Sequence, residues 1–308
     1  MSNLIEDVEA PKKRIIKYKD LTRILESKDL SLDTLYYLKK LINKRDVIDT
    51  SGYSGNSTII IPKDSNNEKG YCIKVSDPEW GLYKEKVLLN LFSKYGLTSE
   101  VVNFIQDNKD ILITEKVEYP WAIDKYTTID DMANFLGKTL RKFHDIKWNI
   151  EEFTEEELQI LKANGRKIID NALKHEEGLR FMADYQNDHD YNQMKEYIKA
   201  NINDYKDDDV IIHGDYNPIN VFVKDSNSAG FVDVTDSGFG DRHYDLFWTI
   251  WTSTLYLGIN SEKDKTTIWE DAFLNAYGRD KVDEKRLTLC KKINCMYWQE
   301  HNDINYFR

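Results

Sequence analysis

The stretch Ile212–Val223 reads IHGDYNPINVFV and places a polar loop between two apolar runs. Within this loop Asn220 follows Asp215 by five residues, and Asp233 comes 18 residues after Asp215 in a third apolar run. A polar turn at 224–228 separates the last two runs, a pattern that predicts a β-hairpin. We therefore expect the hairpin to return Asp233 to the side of the loop.

These three side chains have the chemistry that phosphoryl transfer to a hydroxyl requires. A hydroxyl nucleophile needs a carboxylate that orients it and takes its proton as the new bond forms, and Asp215 lies on a loop where it can do so. Divalent cations that neutralise nucleotide phosphates prefer oxygen ligands, which the amide of Asn220 and the carboxylate of Asp233 supply. The spacing predicts a kinase in which Asp215 is catalytic and Asn220 and Asp233 bind Mg²⁺.

The rest of the chain divides by its hydrophobic pattern. Residues 19–44 have the periodicity of two short helices, the second opening at Ser31. Short strands with one helix at 79–95 follow, and helical patterns then dominate apart from the island at 210–234. The pattern predicts an α+β fold with two lobes. Its segments are a helical extension at 1–45, a small antiparallel β lobe with one helix at 46–117, and a larger, mainly helical lobe with the catalytic loop at 118–308.

With these motifs in place, the chain resembles the aminoglycoside phosphotransferases and, more distantly, the choline-kinase-like proteins and protein kinases. The resemblance continues through GFVDVTDSGFGDRHYDL at 230–246, in the register of the family's 3′-phosphotransferase branch. Gly214 stands where protein kinases have arginine, which favours the small-molecule kinases. The resemblance covers about 51–257 and implies a protein-kinase-like fold, Mg²⁺ as cofactor and ATP or GTP as phosphoryl donor.

The resemblance also implies roles for residues of the small lobe. Ser54, in GYSGNS at 52–57, lies where the family covers the phosphates, although such a segment is by itself typical of a hairpin turn. Lys74 stands at the position of the lysine that contacts the α- and β-phosphates, and Glu85 at that of its partner carboxylate. From the residues alone, Lys74 reads as a solvated strand lysine and Glu85 as a routine surface charge among lysines.

The nucleotide base is expected at the end of the small lobe. Glu115 and Val117 fall in a segment that resembles the interlobe hinge, whose backbone binds the adenine edge. Cys72 stands where the 3′ branch has a tyrosine that stacks on adenine. Thr235 and Asp236 replace the glycine and arginine usual there, so the choice between ATP and GTP stays open.

Three residues are expected to support the catalytic loop or the packing around it, and a fourth is expected to face solvent. His213 is expected to brace the loop, as in the family, in preference to acting as a general base. Asp245 is expected to hold the loop from the start of its helix. His144 ends a helical segment and is expected to pack or cap there, while His243 is expected to face solvent.

The acceptor site is less defined. The resemblance implies an acidic pocket for a polycationic acceptor, and the residues assigned to it are Asp184, Asp188, Asp190 and Glu300. Any one of them is more commonly a solvated surface residue. Trp248 and Trp251 are expected in the core, with a sugar-binding cleft as the alternative. The first hypothesis is an aminoglycoside kinase, hence a resistance enzyme. The second is a kinase of a sugar, choline or homoserine type of alcohol, and the third a nucleotide-binding regulator without catalysis.

The composition of the chain indicates which partners and which cell compartment are expected. The 308 residues carry a net charge of −11, which disfavours nucleic acid and anionic membranes as partners and favours a cationic small molecule. No apolar run approaches the roughly 20 residues of a spanning helix, and the acidic residues 1–7 lack the apolar region expected of a secretory signal. Three cysteines do not make a disulfide framework, so a cytoplasmic location is expected. The basic cluster at 12–19 is expected to be a solvated segment.

Overall fold

The structure is a computed structural model that describes residues 14–17, 20, 30–50, 57–63, 69–78, 81–174, 191–206 and 209–297. At 14, 57, 166, 168–174, 191–192 and 295–297 it describes the backbone alone. The described residues form two compact units. The sheet unit lies within Glu9–Tyr119 and Gly230–Thr235, and the helical unit within Pro120–Ala229 and Asp236–Arg308. Over the described residues, no helix is long and apolar enough to cross a membrane.

The sheet unit contains a sheet that has six strands among the described residues. The strands are β1 (Arg14–Ile16), β2 (Val47–Asp49), β3 (Ser57–Ile61), β4 (Tyr71–Ser76), β5 (Val101–Gln106) and β6 (Asp110–Glu115). Their order is β1-β2-β3-β4-β6-β5, and every neighbouring pair is antiparallel. Helix α1 (Leu32–Ile42) precedes β2, and helix α2 (Leu82–Ser93) joins β4 to β5.

Helix α1 and β1 share one core with the sheet. The core contains Leu35, Leu38 and Ile42 of α1 together with apolar residues of β1 to β4 and β6. The predicted start of α1 is confirmed, since the Ser31 side chain accepts a hydrogen bond from the backbone N–H of Thr34 at 3.3 Å. The predicted three-way division of the chain at 45 and 117 stays a prediction. The first helix predicted in 19–44 lies largely outside the described residues.

Strand β1 departs from the expectation of a solvated basic segment at 12–19. Arg14, Ile15 and Ile16 pair with β2, and Ile16 is buried while Ile15 is 67% exposed. Three residues are too few for a period-2 pattern to stand out among lysines. Residues 14–16 therefore form a strand because they pair with β2, and their own sequence pattern does not predict it.

The helical unit contains seven α-helices, counted over the described part of the chain, with four short strands between them. The helices are α3 (Ala122–Lys125), α4 (Ile129–His144), α5 (Glu155–Lys174), α6 (Tyr191–Asn201), α7 (Arg242–Tyr256), α8 (Lys263–Tyr277) and α9 (Glu284–Tyr297). The strands are β7 (Val210–Ile212), β8 (Val221–Asp225), β9 (Ser228–Phe231) and β10 (Gly238–Gly240). Strand β7 pairs with β10, and β8 forms the predicted hairpin with β9.

Two glycines allow close backbone contacts in this unit, one between two helices and one between a helix and a strand. A Cβ on Gly137 of α4 would lie 2.4 Å from the backbone oxygen of Phe273 on α8. A Cβ on Gly165 of α5 would lie 1.8 Å from the backbone oxygen of Phe239 on β10. Helix α4 buries an apolar face that includes Met132. The α+β fold class, with an antiparallel sheet and helix followed by a helical part, is confirmed.

Candidate active site

The predicted catalytic loop, residues 213–220, connects β7 to β8 and carries a carboxylate that accepts hydrogen bonds from three side chains. Asp215 is half-buried. Its Oδ1 accepts from Nδ2 of Asn217 and from Nε1 of Trp248, both at 2.7 Å. Its Oδ2 accepts from Nδ2 of Asn220 at 2.7 Å. These bonds hold the carboxylate in one orientation.

The backbone of the loop is held by helix α7. The carboxylate of Asp245, fully buried, accepts the backbone N–H groups of His213 at 2.7 Å and Gly214 at 2.9 Å. Thr249, one turn further along α7, donates its hydroxyl to the backbone oxygen of Tyr216 at 2.9 Å. The role expected for Asp245, holding the loop from the start of its helix, matches this geometry.

Two histidines complete the support. Nδ1 of His213 accepts the backbone N–H of Asp215 at 3.2 Å, which is the expected bracing contact. His144 is buried at the end of α4, with Nε2 at 3.1 Å from the Asp245 carboxylate and Nδ1 at 2.9 Å from the Tyr277 hydroxyl. The expected packing role of His144 therefore extends to the residue that holds the catalytic loop.

Gly214 has a backbone conformation that other residues rarely adopt. Its φ is +83°, in the left-handed region, and a Cβ there would lie 2.5 Å from the backbone oxygen of Asp236. Both the dihedral angle and the close approach require glycine. The structure thus gives a steric reason for the residue that separates this loop from the His-Arg-Asp form of protein kinases.

Asn220 is oriented by the same loop. Its Nδ2 donates to the Asp215 carboxylate and, at 3.1 Å, to the Asp215 backbone oxygen. Its backbone N–H donates to Oδ1 of Asn217 at 3.1 Å. With the amide nitrogen turned toward Asp215, the amide oxygen of Asn220 is the atom that remains for a cation.

In the sheet unit, Lys74 joins two carboxylates. Its Nζ lies 2.7 Å from Oε1 of Glu85, which is on α2, and also contacts the carboxylate of Asp233. Burial alone would lower the pKa of the Lys74 ammonium, but attraction by Asp233 and Glu85 outweighs it and the pKa lies above its usual value. Burial raises the pKa of the Glu85 carboxyl, an effect that Lys74 opposes. The 2.7 Å contact is that of a charged pair, so neither residue is the solvated surface group that its immediate neighbours suggested.

Asp233 is the second position where the backbone is unusual. Its φ is +55°, and its side chain is 52% exposed. A non-glycine residue with positive φ is uncommon, and aspartate tolerates it better than most. Among the described residues, no group of three or more histidine, cysteine, aspartate or glutamate residues could hold a metal. Mg²⁺ is commonly bound through one or two protein ligands together with substrate phosphates, so an amide and a carboxylate fit its donor preference.

The residues expected near the base are placed at the end of the sheet. Glu115 ends β6 and pairs with Lys69, and Val117 lies partly buried two residues beyond. Cys72 of β4 is opposite Thr114, and burial raises the pKa of its thiol to about 11. The Cys72 side chain is partly buried in this strand.

Several predicted residues lie outside the described part of the chain. Among them are Ser54, assigned to the phosphates, and the four residues assigned to the acceptor, Asp184, Asp188, Asp190 and Glu300. Their assignments stay predictions.

His243 corrects one expectation and Trp248 adds a residue that sequence reasoning missed. His243 does not face solvent: it is fully buried, with Nδ1 2.7 Å from Asp241 and Nε2 accepting the backbone N–H of Asp283 at 2.8 Å. The start of α9 covers it, a contact 40 residues away that no local pattern reveals. Trp248 and Trp251 are in the core as expected, but the bond from Trp248 to Asp215 carries no sequence signal beyond the helical spacing of the two tryptophans.

Comparisons with known proteins identify the family of this chain. The model of the phosphotransferase enzyme family matches residues 99–287. A probable aminoglycoside 3′-phosphotransferase of Lactococcus lactis subsp. lactis is 26% identical over 232 residues, which cover 73% of this chain and 81% of that protein.

Solved structures have the same fold. The aminoglycoside phosphotransferase APH(3″)-Id of Streptomyces rimosus, in complex with ADP and streptomycin, superimposes with a TM-score of 0.54 at 16% identity, covering 87% of this chain and all of that one (100%). An ethanolamine kinase of Plasmodium vivax superimposes with a TM-score of 0.55 at 18% identity, covering 95% of this chain and 86% of that one. At these identities the likeness establishes the fold.

Proposed function

This chain belongs to the phosphotransferase enzyme family, and from that premise we propose that it transfers the γ-phosphoryl group of ATP or GTP to a hydroxyl of an aminoglycoside antibiotic. The observation that carries the proposal is the Asp215 carboxylate, held by three N–H donors on a loop whose backbone is fixed by Asp245. A carboxylate oriented this firmly is suited to a proton-accepting role in one fixed geometry.

Asp215 would orient the acceptor hydroxyl and take its proton as the oxygen attacks the γ-phosphorus. The bond from the γ-phosphorus to the bridging oxygen of the nucleoside diphosphate breaks as the new oxygen–phosphorus bond forms, so no covalent enzyme intermediate is needed. The nucleoside diphosphate leaves with the bridging oxygen. The acceptor proton passes to Asp215 and then to solvent.

Lys74 and a metal ion held by the predicted ligands would neutralise the negative charge of the nucleotide phosphates. Lys74, kept cationic by Glu85 and Asp233, is proposed to bind the α- and β-phosphates. Asn220 and Asp233 are proposed to hold Mg²⁺, which when bound neutralises phosphate charge. Both supply oxygen atoms, and the orientation of Asn220 leaves its oxygen for this use.

An aminoglycoside is supported as acceptor by charge and by one relative. The chain carries a net charge of −11, which attracts a polycation by long-range steering. The relative from Lactococcus lactis is named a probable aminoglycoside 3′-phosphotransferase, and the 3′-hydroxyl is accordingly our first choice of acceptor position. The acidic residues proposed to bind the amino groups are Asp184, Asp188, Asp190 and Glu300.

A metabolite alcohol is the second candidate acceptor. It is favoured by the departures from the 3′ branch at Cys72, Thr235 and Asp236, which alter the surroundings of the nucleotide and of the predicted metal ligand. A regulator without catalysis is disfavoured, because such proteins usually lack the lysine, the catalytic aspartate or the metal aspartate. Lys74, Asp215 and Asp233 are all present here.

The deciding experiment measures release of nucleoside diphosphate from ATP and, separately, GTP with Mg²⁺, across aminoglycosides and metabolite alcohols. We expect turnover with an aminoglycoside that has a 3′-hydroxyl and none with a matched compound that lacks it. Asp215→Asn should abolish turnover while nucleotide still binds. Asp264→Asn, an exposed aspartate on α8, serves as the control and should keep activity.

The outcomes separate the hypotheses. Turnover with choline, a sugar or homoserine, but with no aminoglycoside, would replace the first candidate by the second. Nucleotide binding without turnover on any acceptor would favour the regulator. Retained turnover in Asp215→Asn would remove Asp215 from the mechanism.

A further inference from the structure

Asn217, two residues after Asp215, is a buried residue of the catalytic loop that forms hydrogen bonds at both ends of its side-chain amide. Its Nδ2 donates to Oδ1 of Asp215 at 2.7 Å and to the Asp215 backbone oxygen at 3.2 Å. Its Oδ1 accepts the backbone N–H groups of Ile219 and Asn220, both at 3.1 Å. One side chain thus links the carboxylate proposed to react with the backbone that carries a proposed metal ligand.

The orientation of this amide follows from the chemistry of its partners. An ionised carboxylate and a carbonyl oxygen only accept hydrogen bonds, whereas a backbone N–H only donates. The nitrogen of Asn217 therefore faces Asp215, and the oxygen faces the backbone of Ile219 and Asn220. A flipped amide would lose all of these bonds, so the two ends of the side chain have different tasks.

The oxygen end of Asn217 closes a turn in the loop. An asparagine side chain that accepts the backbone N–H two residues ahead forms a turn of its own, here with Ile219. Pro218 follows Asn217, and an Asn-Pro pair favours turn initiation because proline restricts the backbone. The path from Asp215 to Asn220 is therefore held by a local contact in addition to those from α7.

The nitrogen end of Asn217 acts on the Asp215 carboxylate together with Asn220. Asn220 donates its own Nδ2 to Oδ2 of Asp215 at 2.7 Å and to the Asp215 backbone oxygen at 3.1 Å. Each carboxylate oxygen thus accepts from one of the two asparagines. Rotation of the carboxylate about its Cβ–Cγ bond would break both bonds, so the two amides together fix its plane.

We propose that Asn217 is a positioning residue whose amide nitrogen sets the plane of the Asp215 carboxylate and whose amide oxygen sets the position of Asn220. The proposal rests on the proposed function, since it assumes that Asp215 takes the hydroxyl proton and that Asn220 binds Mg²⁺. Asn217 acts through these two residues and not on the substrate. Its two ends can be changed one at a time.

The first test compares two variants of Asn217 by steady-state kinetics. Asn217→Asp keeps an oxygen for the backbone of Ile219 and Asn220 but places a second carboxylate oxygen against Asp215. Asn217→Ala removes both ends. We expect kcat to fall about ten- to a hundredfold in each, the effect of losing a hydrogen bond to a charged group, with some activity kept because Trp248 still donates to Asp215. The KM for the Mg²⁺-nucleotide should rise only in Asn217→Ala, where the backbone of Asn220 is released.

Asn294→Ala is the matched control. Asn294 is also fully buried in the helical unit, and its Nδ2 donates to the backbone oxygen of Cys290 in its own helix, α9, at 3.0 Å. The variant removes a buried amide that has no contact with the catalytic loop in the described residues. We expect a lower urea midpoint, with kcat and KM unchanged.

Three kinetic results would overturn the proposal. Wild-type kcat in Asn217→Asp would show that the nitrogen end has no task. A fall in kcat in Asn217→Ala no larger than in Asn294→Ala would make Asn217 a packing residue. A rise in KM as large in Asn217→Asp as in Asn217→Ala would show that the two ends do not act separately.

The second test follows hydrogen exchange at the backbone N–H of Ile219 by NMR. It does not require turnover and so separates this proposal from the proposed function. We expect slow exchange in the wild type and in Asn217→Asp, and exchange faster by about tenfold in Asn217→Ala, which lacks the accepting oxygen. Equal rates in the wild type and Asn217→Ala, or equally fast exchange in both variants, would overturn the turn-closing task even in an active kinase.

The nitrogen end is measured in the same spectra. The side-chain NH₂ resonances of Asn217 are identified by their loss in Asn217→Ala. Asp215→Asn replaces the charged acceptor by a neutral amide, so these resonances should move more than those of Asn294. Unmoved Asn217 resonances would overturn the contact with Asp215. If the resonances move and the exchange follows expectation but no acceptor is turned over, the role of Asn217 in the loop stands and the proposed reaction fails.

Discussion

The carboxylate of Asp245 accepts the backbone N–H of Gly214 at 2.9 Å, although the two residues are 31 positions apart. Asp245 lies in the first turn of α7, and Gly214 immediately precedes Asp215. Because the same carboxylate also accepts the N–H of His213, its two oxygens fix two consecutive peptide groups. The geometry of the catalytic loop is thus set by a buried charge on another element.

Replacing this charge should damage both stability and turnover. In Asp245→Asn a side-chain NH₂ group replaces one of the two carboxylate oxygens. The backbone N–H that this oxygen accepted loses its hydrogen bond, and two donors then face each other in a buried position. We expect the free energy of unfolding to fall by about 2–4 kcal/mol, together with a large loss in kcat. Urea denaturation and steady-state kinetics measure the two effects. Asp271→Asn, which removes a surface ion pair with Arg279 on the same unit, is the control and should change little.

A methyl group at Gly214 should lower both stability and kcat for two reasons, which a second glycine variant can separate. Gly214→Ala introduces left-handed strain and a Cβ 2.5 Å from the backbone oxygen of Asp236. Gly258→Ala introduces similar strain, at φ +65°, with nothing within 4 Å of the new Cβ. We expect Gly258→Ala to lower the free energy of unfolding by about 1 kcal/mol and Gly214→Ala by clearly more, with a fall in kcat only for Gly214→Ala. Equal effects of the two variants on unfolding and kcat would mean that the close approach to Asp236 has no consequence.

The charge of Asp233 can be tested apart from its backbone. Asparagine tolerates a positive φ nearly as well as aspartate, whereas alanine does not. Asp233→Asn should therefore keep the backbone conformation and lose only the ion pair with Lys74, so we expect a modest fall in the free energy of unfolding. It should nevertheless lose Mg²⁺-dependent nucleotide binding, measured by calorimetry with and without Mg²⁺. Asp233→Ala should lose binding and in addition about 1 kcal/mol of stability. Mg²⁺-dependent binding that survives in Asp233→Asn would rule out Asp233 as a metal ligand.

Asp209 should make the stability of the helical unit fall at acid pH. Its carboxylate accepts from Nε and Nη2 of Arg242, at 2.7 and 3.2 Å, and from Nη2 of Arg286 at 3.1 Å. Burial alone would raise the pKa of Asp209, but the two guanidinium groups outweigh it and the pKa lies below its usual value. The folded protein therefore binds this proton less readily than the unfolded chain. The stabilisation is complete above about pH 4 and is lost as the pH falls through the lowered pKa.

The measurement is the free energy of unfolding of the wild type and of Asp209→Asn from pH 7 downward. We expect the variant to be less stable by about 1–3 kcal/mol at neutral pH, since Arg242 loses its ion pair with Asp209 and Arg286 keeps only the one with Asp241. The difference should shrink below about pH 4 as Asp209 is protonated in the wild type. A difference that stays constant with pH would contradict this account.

Local sequence was sufficient for the parts of the molecule that depend on neighbouring residues. The strand, loop and hairpin around Asp215 follow from an apolar–polar alternation and a turn over some 20 residues, and the structure contains them. Ser31 opens α1 because a capping side chain acts on a backbone N–H three residues away. The fold class and the family follow from these local features in their order along the chain.

Contacts between distant segments could not be read in this way. Lys74 and Glu85 looked like surface charges, yet β4 and α2 bring them into a buried pair with Asp233, 159 residues from the lysine. His243 was expected to face solvent, but the start of α9 covers it. Trp248 is in the core as expected, yet its bond to Asp215 depends on where α7 packs. A short motif specifies which groups are present and their spacing, because backbone geometry links residues a few positions apart. Which donors reach a carboxylate depends on how helices pack, and that depends on side chains throughout the unit at once.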